Sequence, residues 1–164
     1  MTRKPVYVTI LGKDRLTKTL ERIPREIREP IRAALIANAM NVHGAAVASI
    51  MNGPATGKIY KRGGRVNPRS IHQASAPGEA PMSDSGHLAS FLRWIEGADG
   101  LSTEVGTDDD YGAFLEFGTS EMEARPWLVP AFESVRPQMV ARLIKAVRAT
   151  MAAFEKTQNS TGGK

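Results

Sequence analysis

Three histidines, a run of three aspartates and a cluster of basic side chains are the groups in this 164-residue sequence best suited to chemistry. His43, His72 and His87 stand 29 and 15 residues apart, which matches no local metal-binding spacing. With no cysteine in the chain, the softest zinc ligands are also missing, so the sequence predicts no metal centre and no bound cofactor. Asp108, Asp109 and Asp110, with Glu116, offer oxygen to a hard divalent cation. Adjacent carboxylates do not converge as the alternating ligands of a calcium loop do. At that position they favour the start of a helix, with the rest of the charge run in solvent. Serine is plentiful, yet the sequence contains neither a Gly-x-Ser-x-Gly elbow nor a Gly-x-x-x-x-Gly-Lys-Ser phosphate loop. It therefore predicts no catalytic residues and a non-enzymatic protein.

Lys58, Lys61, Arg62, Arg65 and Arg69, with Tyr60 among them, form the strongest basic cluster. Clustered cations release counterions from a phosphate backbone, and an aromatic ring can stack on a base. A basic nucleic-acid-binding module built on residues 58–69 is thus the alternative function, although only one aromatic is interleaved. The same residues are equally suited to contact a partner protein, as are Asp108, Asp109, Asp110 and Glu116 by their charge.

These groups need elements to position them. Val6 to Leu11 is rich in β-branched residues and ends at Gly12, which predicts a strand. After Pro24, apolar residues at Ile27, Ile31, Leu35, Ala39, Val42, Ala46 and Ile50 make one helical stripe that stops near Asn52 and Gly53. Pro30 requires either a kink or a later helix start. Residues 53–82 are rich in glycine and proline and predict a projecting loop or hairpin arm, with Lys58–Lys61 and Ser70–Ala74 as its strands around Gly63 and Gly64. Ser85 can cap a short helical turn through Ser90. A strand near Phe91–Ile95, a turn at Gly97–Gly100 and the alternation of Leu101, Thr103 and Val105 make a hairpin. A short helix from the aspartates should end at Gly118. From Pro126 a long helix carries Leu128, Phe132, Val135, Met139, Leu143, Val147, Met151 and Phe154, with a possible kink at Pro137 and a fraying tail from Thr157.

The fold class expected is α+β: one domain over residues 1–156, with a small, mostly antiparallel sheet covered by two long amphipathic helices, then a disordered tail over 157–164. The N-terminal apolar run is too short for a signal peptide, and about 18 apolar residues nowhere run together, so no export by that route and no membrane partner are expected. The net charge of +5 is unevenly placed. From Glu96 to Glu123 there are nine acidic residues and no Lys or Arg, while the rest of the chain has all 22 basic residues and eight acidic ones. Either the fold mixes these charges on a common surface, or one subunit carries opposite flanks and can pair with copies of itself.

The stretch Tyr111-Gly112-Ala113-Phe114-Leu115-Glu116-Phe117-Gly118-Thr119, followed by Ala124-Arg125-Pro126-Trp127-Leu128-Val129-Pro130-Ala131, resembles a known pattern. So do Ala76-Pro77-Gly78-Glu79-Ala80-Pro81 and Ser85-Gly86-His87-Leu88 upstream. The pattern is that of the tail-completion or head-tail joining family, the "gene ten-like" tail components of long-tailed double-stranded DNA bacteriophages. Gly112 stands where that family usually has alanine, Trp127 where it has phenylalanine, and Phe91 where a serine is common. The motif residues Tyr111, Phe117, Gly118, Arg125, Pro126, Trp127 and Pro130 read as a fold signature first: Gly118 ends a helix, Arg125 reaches a free carbonyl or Glu116, and Pro126 occupies the first helical position. The resemblance implies a virion structural protein, made in the host bacterial cytoplasm and located at the neck or tail end. There it would form a homo-oligomeric ring, usually of six copies. The implied partners are head connector or adaptor proteins, tail tube or tail terminator proteins, and DNA passing through the lumen without sequence-specific binding.

Overall fold

The structure, a computed structural model, describes residues 6–10, 18, 20–62 and 70–161. Arg65, Arg69 and the expected turn at Gly63 and Gly64 lie outside the described residues, as do the side chains of Lys61 and Arg62. The order of elements is β1 (Val6–Ile10), α1 (Arg25–Asn52), β2 (Ile59–Arg62), β3 (Ser70–Gln73), α2 (His87–Phe91), β4 (Arg93–Glu96), β5 (Thr103–Thr107), α3 (Asp110–Phe117) and α4 (Leu128–Thr161). The fold is α+β, as expected.

Helix α1 starts at Arg25, directly after Pro24, whose carbonyl accepts the Ile27 and Arg28 N–H groups at 3.1 and 3.3 Å. Pro30 therefore sits inside the helix, where it supplies no N–H for the Glu26 carbonyl. The stripe read from the sequence is the buried one: Ile31, Leu35, Ala39, Val42, Ala46 and Ile50 are all in the core. By length and composition α1 would suffice to cross a membrane, but here its apolar stripe packs on α4. Asn38 lies within that stripe and is fully buried. Its Nδ2 donates to the Met139 carbonyl at 3.3 Å, and its Oδ1 accepts from Arg142 Nη1 at 2.5 Å. A buried amide with both ends bonded fixes how the two helices slide past each other, because a shift of one turn leaves it unpaired.

Strands β1, β5 and β4 form a three-stranded antiparallel sheet with β5 in the centre. Val8 pairs with Val105 and Trp94 pairs with Val105 from the other side, so these side chains share the face turned to the helices. Thr103 Oγ1 on that face donates to the Leu35 carbonyl of α1 at 3.4 Å. Tyr7, Arg93, Ile95 and Glu104 share the opposite face, where Ile95 is exposed. At the edge of the sheet Arg32 of α1 grips Glu96 with Nε and Nη2, at 2.5 and 2.9 Å.

Strands β2 and β3 form a separate two-stranded hairpin, in the register Ile59 to Gln73 through Arg62 to Ser70. Its base is narrower than residues 53–82. Ala74 and Gly57 continue the ladder, after which the chain returns to the body. Ser75 is buried, its carbonyl accepts from Arg125 Nε at 3.3 Å, and Ser83 N–H donates to the Ile50 carbonyl at 2.9 Å. The strand expected near Phe91–Ile95 begins two residues later, since Phe91 completes α2 and Leu92 caps it. Helix α4 runs through Thr161, five residues into the segment expected to be a tail.

Candidate functional site

The acidic triplet works inside the subunit. Asp109 is the N-cap of α3, with its carboxylate accepting from Tyr111 N–H at 3.1 Å and meeting His87 Nε2 at 2.8 Å. Asp108 accepts from the Tyr7 hydroxyl and pairs with Arg93. Asp110 opens the helix. A helix cap is what the sequence predicted for this run. Among the described residues, no three His, Asp or Glu side chains are grouped to hold a metal ion.

Glu116, expected on charge to face a partner, is buried and faces its own chain. Its Oε2 accepts the Trp127 and Leu128 N–H groups, both at 2.8 Å, and its Oε1 accepts Val129 N–H at 3.0 Å. These are the first free donors of α4, and the next position is Pro130, which has none. One carboxylate and one proline thus settle the donors at the start of a 34-residue helix, with the negative charge at the positive end of its dipole. This arrangement also moves the helix start. The sequence placed Pro126 at the first helical position, but the helix begins at Leu128, because Glu116 captures the Val129 N–H and Pro130 has none, so the bonds to the Arg125 and Pro126 carbonyls that an earlier start needs are not made.

The rest of the motif closes that loop. Gly118 takes φ of +75° and donates its N–H to the Phe114 carbonyl, ending α3. A Cβ there would also meet the Met122 carbonyl oxygen at 2.8 Å and Ala124 N at 2.9 Å, so only glycine fits without movement. Arg125 N–H returns to the Leu115 carbonyl at 2.7 Å, and its side chain takes the Ser75 carbonyl instead of Glu116. Trp127 is fully buried, with Nε1 donating to the Gly112 carbonyl at 3.1 Å. Phe117 has no such role: it is 71% exposed, the most exposed large apolar side chain among the described residues.

Tyr60 and His72 face each other across the hairpin and line a cleft of about 500 Å³ with Tyr111, Leu115, Met122 and Arg125. His72 Nδ1 meets Asp84 at 3.5 Å on one wall of this cleft. Ser83 and Ser85 lie nearby, but their hydroxyl oxygens accept backbone N–H groups of Gly86 and His87. Among the described residues no serine hydroxyl is hydrogen-bonded to an imidazole. Lys58 stands over the Tyr60 ring, 5.5 Å from its centroid. On the far side of the hairpin Ile59 and Ile71 are 57% and 66% exposed. The sequence missed these two residues, although their alternation with Tyr60 and His72 places them on the outer face.

Residues 14–118 match the protein family described as "Bacteriophage HK97-gp10, putative tail-component". No curated protein and no solved structure matches the chain. The matched span includes α1, the hairpin, strands β4 and β5 of the small sheet and α3 through the Glu116-Phe117-Gly118 segment, and on this evidence the chain belongs to the HK97-gp10-like family of bacteriophage tail components.

Proposed function

We propose that this chain is a non-enzymatic structural protein of the virion that completes the tail or joins head to tail. It assembles with copies of itself into a ring of six between the head connector and the tail tube. Family membership over residues 14–118 is the observation that carries this reading. The exposed apolar residues of the hairpin and of α3 support it, since a subunit working alone has little reason to keep such groups in water. The expected neighbours are a connector or adaptor protein on the head side and a tube or terminator protein on the tail side. Duplex DNA passes through the lumen without sequence-specific contact. The chain is made in the host cytoplasm and ends at the neck or tail end of the particle. Electron micrographs of a phage lacking it should show full heads beside unjoined or malformed tails, whereas normal infectious virions would refute the proposal.

The nucleic-acid reading of residues 58–69 is the weaker one. Tyr60, the one aromatic available for stacking, has Lys58 on its ring and lines the cleft. Salt-dependent duplex binding by the isolated subunit, lost in a K61A/R62A/R65A variant, would revive it.

A further inference from the structure

Two arginines at the start of α1 are left without a counter-charge. Arg25, Arg28 and Arg32 share one face of the helix and, with the turn between β4 and β5, line a pocket of about 430 Å³. Arg32 is satisfied there by Glu96 and Glu29. Asp99 in the turn accepts the Leu101 N–H at 2.9 Å. Among the described residues neither Arg25 nor Arg28 is in an ion pair, and Nε of Arg28 is buried with no partner. A guanidinium N–H withdrawn from water without an acceptor costs free energy, and two like charges one turn apart add to that cost. One anion lying between them removes both terms, at a helix start that has no side-chain cap of its own. A carboxylate suits the pocket better than a phosphate backbone does. Glu29, Glu96 and Asp99 also line it, and they repel a duplex that carries a charge about every 1.7 Å of its axis.

Carboxylates without a counter-charge stand at the other end of the same helix. The segment 78–83 joins the loop after α3 to the C-terminal end of α1: Gly78 N–H donates to the Ala124 carbonyl and Ser83 N–H to the Ile50 carbonyl, both at 2.9 Å. Met122 in that loop lines the cleft beside Ile50, and Glu121 and Glu123 flank it. Both glutamates are exposed, and among the described residues neither is in an ion pair. From Arg28 to Asn52 the helix rises about 36 Å. The arginine pocket and the acidic loop are therefore too far apart to meet within one subunit. Complementary charges at opposite ends of one molecule suit a head-to-tail contact, in which every copy uses both.

We infer that the pocket of Arg25 and Arg28 receives the Glu121–Glu123 loop of the next copy, with a carboxylate bridging the two guanidinium groups. The inference rests on the ring reading and names the contact that links its subunits. The length of α1 makes the test specific, because a zero-length carbodiimide cross-link between positions 28 and 121 or 123 cannot form inside one chain. Purified particles carrying Arg28→Lys, which keeps the charge and supplies an amine, should give that cross-link by peptide mass spectrometry, and adding E121Q/E123Q should abolish it. A phage complemented with the R25E/R28E variant should lose titre by roughly tenfold or more, and E121R/E123R in the same chain should restore it. The circular-dichroism melt of R25E/R28E should not fall, since acidic residues favour the first turn of a helix. A full titre for R25E/R28E, or particles without the cross-link, would overturn the contact and leave the ring standing. Salt-dependent duplex binding by the wild-type subunit that R25E/R28E abolishes would overturn it too and assign the arginines to DNA. Normal infectious virions formed without the protein would overturn contact and ring together.

Discussion

Glu116 accepts three consecutive N–H groups at the start of α4, so losing its carboxylate leaves buried donors bare as well as removing a favourable charge. Glu116→Ala should therefore destabilise the fold by about 2–4 kcal/mol in urea denaturation, more than an ordinary exposed cap. Gly118→Ala forces a Cβ into a left-handed position against backbone and should cost about 1–3 kcal/mol in the same measurement. The opposite sign is expected at Thr150, which is fully buried with no partner for its hydroxyl among the described residues. Thr150→Val should raise stability by about 1 kcal/mol, and a loss would mean that the hydroxyl is bonded after all. At this scale sequence type alone misled: a glutamate six residues after three aspartates, in a stretch without Lys or Arg, reads as surface charge. Only the fold shows that it lies against a helix end twelve residues further on.

Among the elements, both long helices could be read from their apolar spacing because burial imposes that spacing directly. Asn38 was not singled out, although the stripe runs through its position, since a polar residue there has meaning only once Met139 and Arg142 are opposite it. The start of α4 and the start of β4 were each misplaced by two residues, where caps and not periodicity set the boundary. Two carboxylates tie elements together. Arg32 holds the Glu96 carboxyl below its ordinary range, and Thr56, with the Ala76 N–H, does the same for Glu79 at the base of the hairpin. Each is depressed in the folded state, so the stabilisation it gives is complete above the unfolded value of 4.5 and is lost as pH falls through the lower folded value. The stability gap between wild type and an E79Q/E96Q variant should accordingly be present at neutral pH and vanish in acid. A gap that persists at low pH would assign the effect to packing.

At the scale of the molecule the fold class was legible, and the family was legible in the motifs from Ala76 to Leu88 and from Tyr111 to Gly118, which lie in the matched span, whereas Ala124 to Ala131 lies beyond it. The charge split along the chain suggested two flanks, and the fold then spent much of the acidic run internally, on helix caps and on Tyr7, Arg93 and His87. Which charges remain unpaired at the surface is a property of the folded chain that composition does not carry. Whether the protein is a ring component of the particle is tested most directly by counting it there. Quantitative mass spectrometry of purified virions, scaled to a capsid protein of known copy number, should find a single ring's worth of this chain, six copies per particle. Purified infectious particles without it would contradict the proposal, and so would the hundreds of copies expected of a tube protein.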